Sequence, residues 1–252
     1  MCYRPFAIFA GCAFVIATLF ATSAEATVVD LTTSGAQGFL NDALFVQVGP
    51  QPTGTGFINS FVRLNDNDGS IAGYNTNVNN VFDNMADDPH NRELLLTDVP
   101  TVTILGIVYR QFLLDVNENS KDASLSQISL DEVQVFQSSA PNQSTETFIG
   151  DILQLGDLVY RMDPGNSVLL DYALNSGSGS GDMFMYIPDS FFSFGGQYVY
   201  LYSSFGLDIA TEDAGFEEWA VLSVDSPIPE PASVLLLGIG LAGIAARRRK
   251  KA

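Results

Sequence analysis

We predict an all-β fold, a β-sandwich of jelly-roll type, from three observations. First, short runs rich in β-forming residues, each bounded by turn residues, recur between residues 27 and 225. Second, several runs alternate with the period of a strand, as in the segment 132–136, where Val133 and Val135 fall on one face and Gln134 on the other. Third, this part of the chain has no long apolar repeat of period 3.6 with helix caps. Many short strands at this spacing are typical of a sandwich.

About ten to twelve strands are expected from these runs. In chain order, the predicted segments are Val28–Leu31, Ala43–Val48, Gly56–Leu64, Glu93–Leu96, Thr101–Leu105, Ile107–Val116, Glu132–Phe136, Leu158–Met162, Val168–Leu174, Met183–Ile187, Tyr198–Tyr202 and Glu218–Val224. In Tyr198–Tyr202 the three tyrosines share one face of the strand.

Two polar regions interrupt the strands. Nine asparagines lie between residues 59 and 91, and because Asn and Asp favour turns we predict a long surface excursion or a loop-rich subdomain there. The segment Asn175–Asp182 alternates serine with glycine and predicts a hairpin loop between two strands.

The first 26 residues have the layout of a secretory signal peptide. A single cation, Arg4, precedes the apolar stretch Phe6–Phe20, and Ala24-Glu25-Ala26 supplies the small residues of a cleavage site. We predict cleavage after Ala26, with cleavage after Ala24 as the alternative. Residues 27–225 then form the ectodomain.

Both cysteines of the chain, Cys2 and Cys12, lie in this predicted signal peptide. The segment Phe9-Ala10-Gly11-Cys12 is also similar to a lipobox, in which Cys12 would be lipidated, but the apolar run continues well beyond it. Cleavage after Ala26 leaves an exported chain without cysteine, which excludes disulfides and thiol chemistry.

Three unlike elements follow the ectodomain in a fixed order. Residues 226–231 form a proline-rich stalk in which Pro229, Glu230 and Pro231 are extended, because proline lacks an N–H and restricts the residue before it. The uncharged run 232–246 predicts a short transmembrane helix, about 22 Å long against a hydrocarbon core of about 30 Å. Residues 247–252 are a basic tail.

The basic residues of that tail, listed in order, are Arg247, Arg248, Arg249, Lys250 and Lys251. Five cations directly after an apolar helix act as a stop-transfer signal and face the cytoplasm by the positive-inside rule. The ectodomain is therefore placed outside.

The order Pro-Glu-Pro, small-residue-rich helix and arginine cluster resembles the PEP-CTERM sorting signal of Gram-negative, exopolysaccharide-producing bacteria. The resemblance covers about 24 residues. It implies recognition by an exosortase as partner, a transient inner-membrane anchor, processing near Glu230, and a final place at the cell surface or in the matrix of a biofilm. A sortase signal is the rival, but no Leu-Pro-x-Thr-Gly precedes the helix.

The ectodomain is strongly acidic. Outside the signal peptide and tail remain five of the 11 basic residues and 28 of the 29 acidic ones, a net charge of −23 against −18 for the whole chain. Such a surface disfavours nucleic acids and anionic membranes. It is compatible with structural calcium, for which Asp115 with Asp131, Glu217 or Glu218 would be ligands. A solvated acidic surface is the alternative, and no metal or other cofactor is predicted.

Catalytic residues are not predicted. His90 is the only histidine, so the exported chain has no Cys-His couple and no zinc set. We expect a structural or interaction role in an exopolysaccharide matrix rather than an enzyme. The alternatives are a carbohydrate-binding module, with Trp219, Tyr198, Tyr200 and Tyr202 as a platform for polysaccharide, and a secreted polysaccharide hydrolase using paired carboxylates.

Overall fold

A computed structural model describes residues 26–49, 58–65, 71–79, 81–84, 89–118, 125–177, 181–207 and 215–222. The strands in this part of the chain are β1 (Val28–Asp30), β2 (Gln37–Leu40), β3 (Ala43–Gln47), β4 (Ile58–Leu64), β5 (Ile71–Tyr74), β6 (Leu94–Leu95), β7 (Thr101–Ile104), β8 (Ile107–Asp115), β9 (Gln127–Ser138), β10 (Phe148–Ile149), β11 (Ile152–Leu153), β12 (Asp157–Arg161), β13 (Ser167–Asp171), β14 (Met183–Pro188), β15 (Tyr198–Phe205) and β16 (Glu217–Leu222). Three short 3₁₀ helices span Leu96–Asp98, Tyr172–Leu174 and Asp189–Phe191.

Fourteen of the described strands form two sheets of seven. In sheet A the order is β1-β13-β9-β15-β5, with β12 also paired to β9 and β6 to β15. In sheet B the order is β2-β3-β14-β8-β16-β4, with β7 also paired to β8. Strands β10 and β11 form a separate hairpin. The predicted all-β class is confirmed.

The two sheets pack on a common core. Its fully buried side chains come from both sheets, among them Phe45, Phe61, Phe112 and Trp219 from sheet B and Val133, Val135 and Phe205 from sheet A. The Trp219 Nε1–H of sheet B donates to the Ser203 hydroxyl of sheet A over 3.0 Å. This hydrogen bond satisfies the indole while its rings remain buried between the layers.

Strands that are neighbours in the sheets are remote in the chain. Eight strands show this best, and we number them first to eighth in chain order: β4, β5, β8, β9, β13, β14, β15 and β16. Neighbours in sheet B are then the first, eighth, third and sixth of these strands. Neighbours in sheet A are the second, seventh, fourth and fifth. The chain therefore passes repeatedly from one layer to the other.

All twelve predicted segments contain a described strand, but four strands were missed. These are β2, β5, β10 and β11. The prediction of one loop region over 59–91 needs correction, because β4 extends into it as far as Leu64 and β5 lies inside it, paired to β15 at Tyr202–Phe205. A Cβ on Gly73 of β5 would lie 2.5 Å from Leu64 Cδ2, so glycine permits close packing there.

The outer face of sheet A, away from the core, is covered by described loops. Phe136, Tyr200, Tyr202 and Tyr74 on this face cluster with Val81, Leu153 and Leu155 from the connections around residues 81–84 and 147–155. The ring of Phe82 lies 5.6 Å from that of Tyr202. Sheet A is thus buried on both faces by the same domain.

Within the described residues, no helix has the length and hydropathy needed to cross a membrane. The predicted signal helix and the predicted transmembrane helix 232–246 lie outside these residues.

Candidate functional site

The predicted sorting and processing residues flank the described domain. Ala24, the triplet Pro229, Glu230 and Pro231, and the basic cluster 247–251 lie outside the described residues. Sheet B leads directly toward them, since its strand β16 ends at Leu222 and six residues, 223–228, separate it from Pro229. The predicted signal therefore begins close to the body of the sandwich.

The predicted signal cleavage point lies at the first described residue. Ala26 is exposed, and the next residue is already tied to the sheet, because the backbone N–H of Thr27 donates to Asn166 Oδ1 over 2.8 Å. The Thr27 carbonyl also accepts from the Ser167 N–H over 3.1 Å. A peptidase needs an extended, accessible substrate, so cleavage after Ala26 requires that β1 has not yet docked on β13.

The four acids considered for calcium do not form a common site. Glu218 lies opposite Asp115 in the sheet, but its carboxylate is held by Arg63, whose Nε donates to Glu218 Oε2 over 2.7 Å. The hydroxyl of Ser60 donates to the same carboxylate. Asp131 accepts from the Leu207 N–H over 2.7 Å. In the part of the chain that the structure describes, no group of three or more acidic, histidine or cysteine side chains is arranged to hold a metal.

Another carboxyl group, that of Asp182, is buried near Asp115. It is 3% exposed, and its Oδ2 accepts from the Val116 N–H over 2.9 Å. Burial raises the pKa of Asp182 well above its usual range, and the negative charges of Asp115 and Asp171 act in the same direction.

The aromatic platform proposed for sugar rings is wrong. Trp219 faces the core of sheet B, whereas Tyr198, Tyr200 and Tyr202 lie on the outer face of sheet A, so the four do not share a surface. Tyr200 is fully buried, donates its hydroxyl hydrogen to Glu93 Oε1 over 2.9 Å and accepts from the Gln143 N–H. The shared face of the three tyrosines is confirmed, but loops cover it.

His90, the only histidine of the chain, lies in a turn just before β6 and is partly buried. It does not belong to any group of candidate metal ligands among the described residues.

Sequence reasoning missed an apolar surface on the outer face of sheet B. We call it the sheet B outer face. Its clustered side chains are Leu44, Val48, Tyr109, Leu113, Phe184, Tyr186 and Leu222, with Val46, Ile58, Val102 and Ile104 packed against them. The rings of Phe184 and Tyr186 lie 5.7 Å apart and those of Tyr109 and Tyr186 6.4 Å apart. Both faces of this sheet are therefore apolar.

A signal for this surface was present in the sequence. A strand buried on one face alternates in polarity, whereas one that is apolar on both faces reads as a continuous apolar run. The segments 43–46, 112–114 and 183–187 are such runs, since Met183, Met185 and Ile187 enter the core while Phe184 and Tyr186 point outward. Absence of alternation in neighbouring strands predicts a sheet with two apolar faces.

Fold and segment order together define an all-β domain followed by a C-terminal targeting segment. Residues 227–250 match the family model of the PEP-CTERM protein-sorting motif, so the chain carries this sorting motif. The motif indicates a secreted protein that an exosortase recognises and that is sorted through the membrane to the cell surface. No curated protein and no solved structure matches the chain.

Proposed function

We propose that this protein is an exported component of a cell surface or exopolysaccharide matrix, released from the membrane by exosortase cleavage near Glu230. The observation that carries the proposal is the position of the matched motif, which is separated by four residues, 223–226, from the last described strand of the sandwich. In this arrangement the sandwich is the delivered part. The proline-flanked Glu230 is the accessible point of processing, and the run 232–246 is a transient anchor with its basic end in the cytoplasm.

The proposed role in the matrix is structural or in binding, without catalysis. A single histidine and a cysteine-free exported chain support it, because nucleophilic catalysis by a Cys-His couple has no partners there. Burial of the tyrosines on sheet A removes the surface that favoured a sugar-binding module.

The alternation between the layers further supports a jelly roll as the delivered fold. Strand orders of first, eighth, third, sixth and second, seventh, fourth, fifth are those of two Greek keys wrapped into a double sheet. We therefore infer a jelly-roll domain carried by the sorting signal.

The experiment that tests the sorting proposal replaces Glu230 with glutamine in a host that has the matching exosortase. We expect Glu230→Gln to leave uncleaved chain in the inner membrane, while the unmodified protein reaches the surface. Asp225→Asn, which makes the same change of charge five residues earlier, is the control and is expected to be released normally. Normal release of Glu230→Gln, measured by fractionation and mass spectrometry, would reduce the triplet to a simple stalk.

A further inference from the structure

The turn that joins β7 to β8 exposes a group of apolar side chains, which we call the hairpin tip: Leu105, Ile107 and Val108. Leu105 is 90% exposed, Ile107 52% and Val108 43%. Val108 lies on the same face of β8 as the core residue Phe112, so its exposure shows that this end of the hairpin extends beyond the packed core. Single exposed hydrophobic residues are common, whereas adjacent ones on a projecting turn indicate a contact surface.

The backbone of this turn favours a small polar residue where the chain has leucine. Ile104 pairs with Ile107, so Leu105 and Gly106 form a two-residue loop, and their φ angles are 50° and 86°. Both positions of such a loop need a positive φ, and Asn-Gly is the usual pair. Leucine is strained in this conformation, and at 90% exposure its burial in the domain does not offset the strain. We therefore interpret Leu105 as a residue that contacts something outside the domain.

The hairpin tip is uncharged, although the ectodomain is strongly acidic. No Asp, Glu, Lys or Arg occurs at positions 99–109. Arg110 follows, and its Nε donates to Asp189 Oδ1 over 2.6 Å, so that the two charges compensate each other. On the other side Asp98 is the nearest acid in the sequence. The tip can therefore leave water without carrying a charge into an apolar environment.

The chain leaves the sandwich toward the sorting motif at the same end as the hairpin tip. Strand β16 is antiparallel to β8, with Ala220 opposite Leu113, so its last residue, Leu222, lies toward the Ile107 end of β8. From this register β8 continues about four residues, or about 13 Å, beyond the end of β16. The tip thus projects past the point from which the chain continues to the matched motif at residues 227–250.

We propose that the hairpin tip inserts into the lipid headgroup region of the bilayer in which the sorting motif anchors the chain. The occupant of this apolar surface is then a lipid bilayer, and the inference depends on the proposed function only for the anchor. Nine residues, 223–231, separate Leu222 from the predicted transmembrane run, and nine residues reach at most about 30 Å. This reach exceeds the projection of the tip, so the tip contacts the bilayer while the run 232–246 spans it.

Tethering makes so small an apolar contact effective. Three side chains bind a bilayer weakly from solution, but a neighbouring anchor turns this contact into an intramolecular one with a high effective concentration. The predicted run is short for a hydrocarbon core, so a second contact would stabilise the anchored state. Under the function proposed above, cleavage near Glu230 removes the tether, and the weak contact of the tip alone then allows the domain to leave the membrane.

A fluorescent label at the tip tests the proposal in the chain without its signal peptide, which has no cysteine of its own. Leu105→Cys is labelled with the environment-sensitive dye NBD, and the chain is reconstituted with phosphatidylcholine vesicles. We expect dye emission to rise severalfold and to shift to the blue when the vesicles are added. Phosphatidylcholine that carries a spin label near its headgroup should then quench this emission.

The matched control is Leu207→Cys, because Leu207 is 70% exposed at the opposite end of the sandwich. Arg110, near the start of β8, donates to the Leu96 carbonyl, and the Leu96 N–H donates to the Gln197 carbonyl just before β15. Strand β15 therefore begins at the end that carries the tip, and Leu207 follows its far end. An equal rise at both labels, or a rise at neither, would overturn the proposal. A rise at the tip before vesicles are added would also overturn it and would indicate a second copy as the occupant.

A second measurement needs no label. Leu105→Asn removes the apolar side chain and suits the positive φ of the turn, so the hairpin is retained. In flotation with phosphatidylcholine vesicles we expect the ratio of bound to free chain 27–252 to fall about tenfold for Leu105→Asn and to stay unchanged for Leu207→Asn. Unchanged binding of Leu105→Asn, or absence of the unmodified chain from the vesicles, would overturn the proposal. Neither measurement requires cleavage near Glu230, so failure of exosortase processing is distinguishable from failure of this contact.

Discussion

The outer faces of sheets A and B are both apolar, yet only that of sheet A has its cover among the described residues. On sheet A the cover is part of the domain, and polar contacts fasten it: the side chain of Gln134 donates to the Asp151 carbonyl over 2.6 Å and accepts from the Leu153 N–H over 3.0 Å. On sheet B the described members of the cluster belong to the sheet or to its continuation. The difference teaches that hydrogen-bonded loops hold the cover of sheet A in place, whereas the described neighbours of the sheet B outer face are the strands of the sheet itself.

The largest expected effect concerns the cover of sheet A. Tyr200→Ala empties a fully buried site and removes two hydrogen bonds, so we expect a loss of about 3–5 kcal/mol in the free energy of unfolding. Urea denaturation measures it. Because the cover of sheet A belongs to the domain, the loss should be the same in chains with and without residues 232–252. Tyr200→Phe, which keeps the ring, is the control and should cost about 1–3 kcal/mol.

A smaller effect is expected on sheet B. Phe184 is 4% exposed, and Phe184→Ala should lower the free energy of unfolding by about 3 kcal/mol, as urea denaturation would show. A cost below about 1 kcal/mol would contradict the burial of this ring.

The smallest expected effect is a dependence of stability on pH, and it concerns sheet A. Burial raises the pKa of Glu132, which lies beside the cover of sheet A, and the hydrogen bond from Gln134 only partly opposes this shift. A raised pKa in the folded state means that the contribution of Glu132 to stability is present below its unfolded pKa and is lost as pH rises through the folded one.

Glu132→Gln should therefore flatten the decline in stability as pH rises above about 4, the unfolded pKa of a glutamate, as measured by urea denaturation at several pH values. An unchanged pH dependence would contradict a raised pKa of Glu132 beside the cover of sheet A.

Most strands could be predicted from the sequence because the pattern that indicates a strand lies within a few consecutive residues. Runs such as 132–136 alternate as the sheet requires, and the structure places Val133 and Val135 in the core. The strand β5 was missed because it lies in the asparagine-rich region, where Asn and Asp favour turns, and its pairing with β15 is not visible in the sequence. The pairing of the strands could not be predicted, since paired strands such as β4 and β16 are separated by more than 150 residues of chain.

Among the candidate sites, too, only the one whose residues are contiguous in the chain could be predicted from the sequence. The sorting motif was predicted because its parts are contiguous in the chain, and the family match covers them. The calcium and sugar sites depended on side chains brought together by the fold. Composition could not show that Arg63 engages Glu218, or that Trp219 and Tyr200 face different layers.

Fractionation of the exported protein tests the central claim of the account, sorting through the matched motif, most directly. The account predicts that the unmodified protein reaches the surface as a chain that ends near Glu230, whereas Glu230→Gln stays uncleaved in the inner membrane. Uncleaved chain at the surface for both proteins would contradict the account.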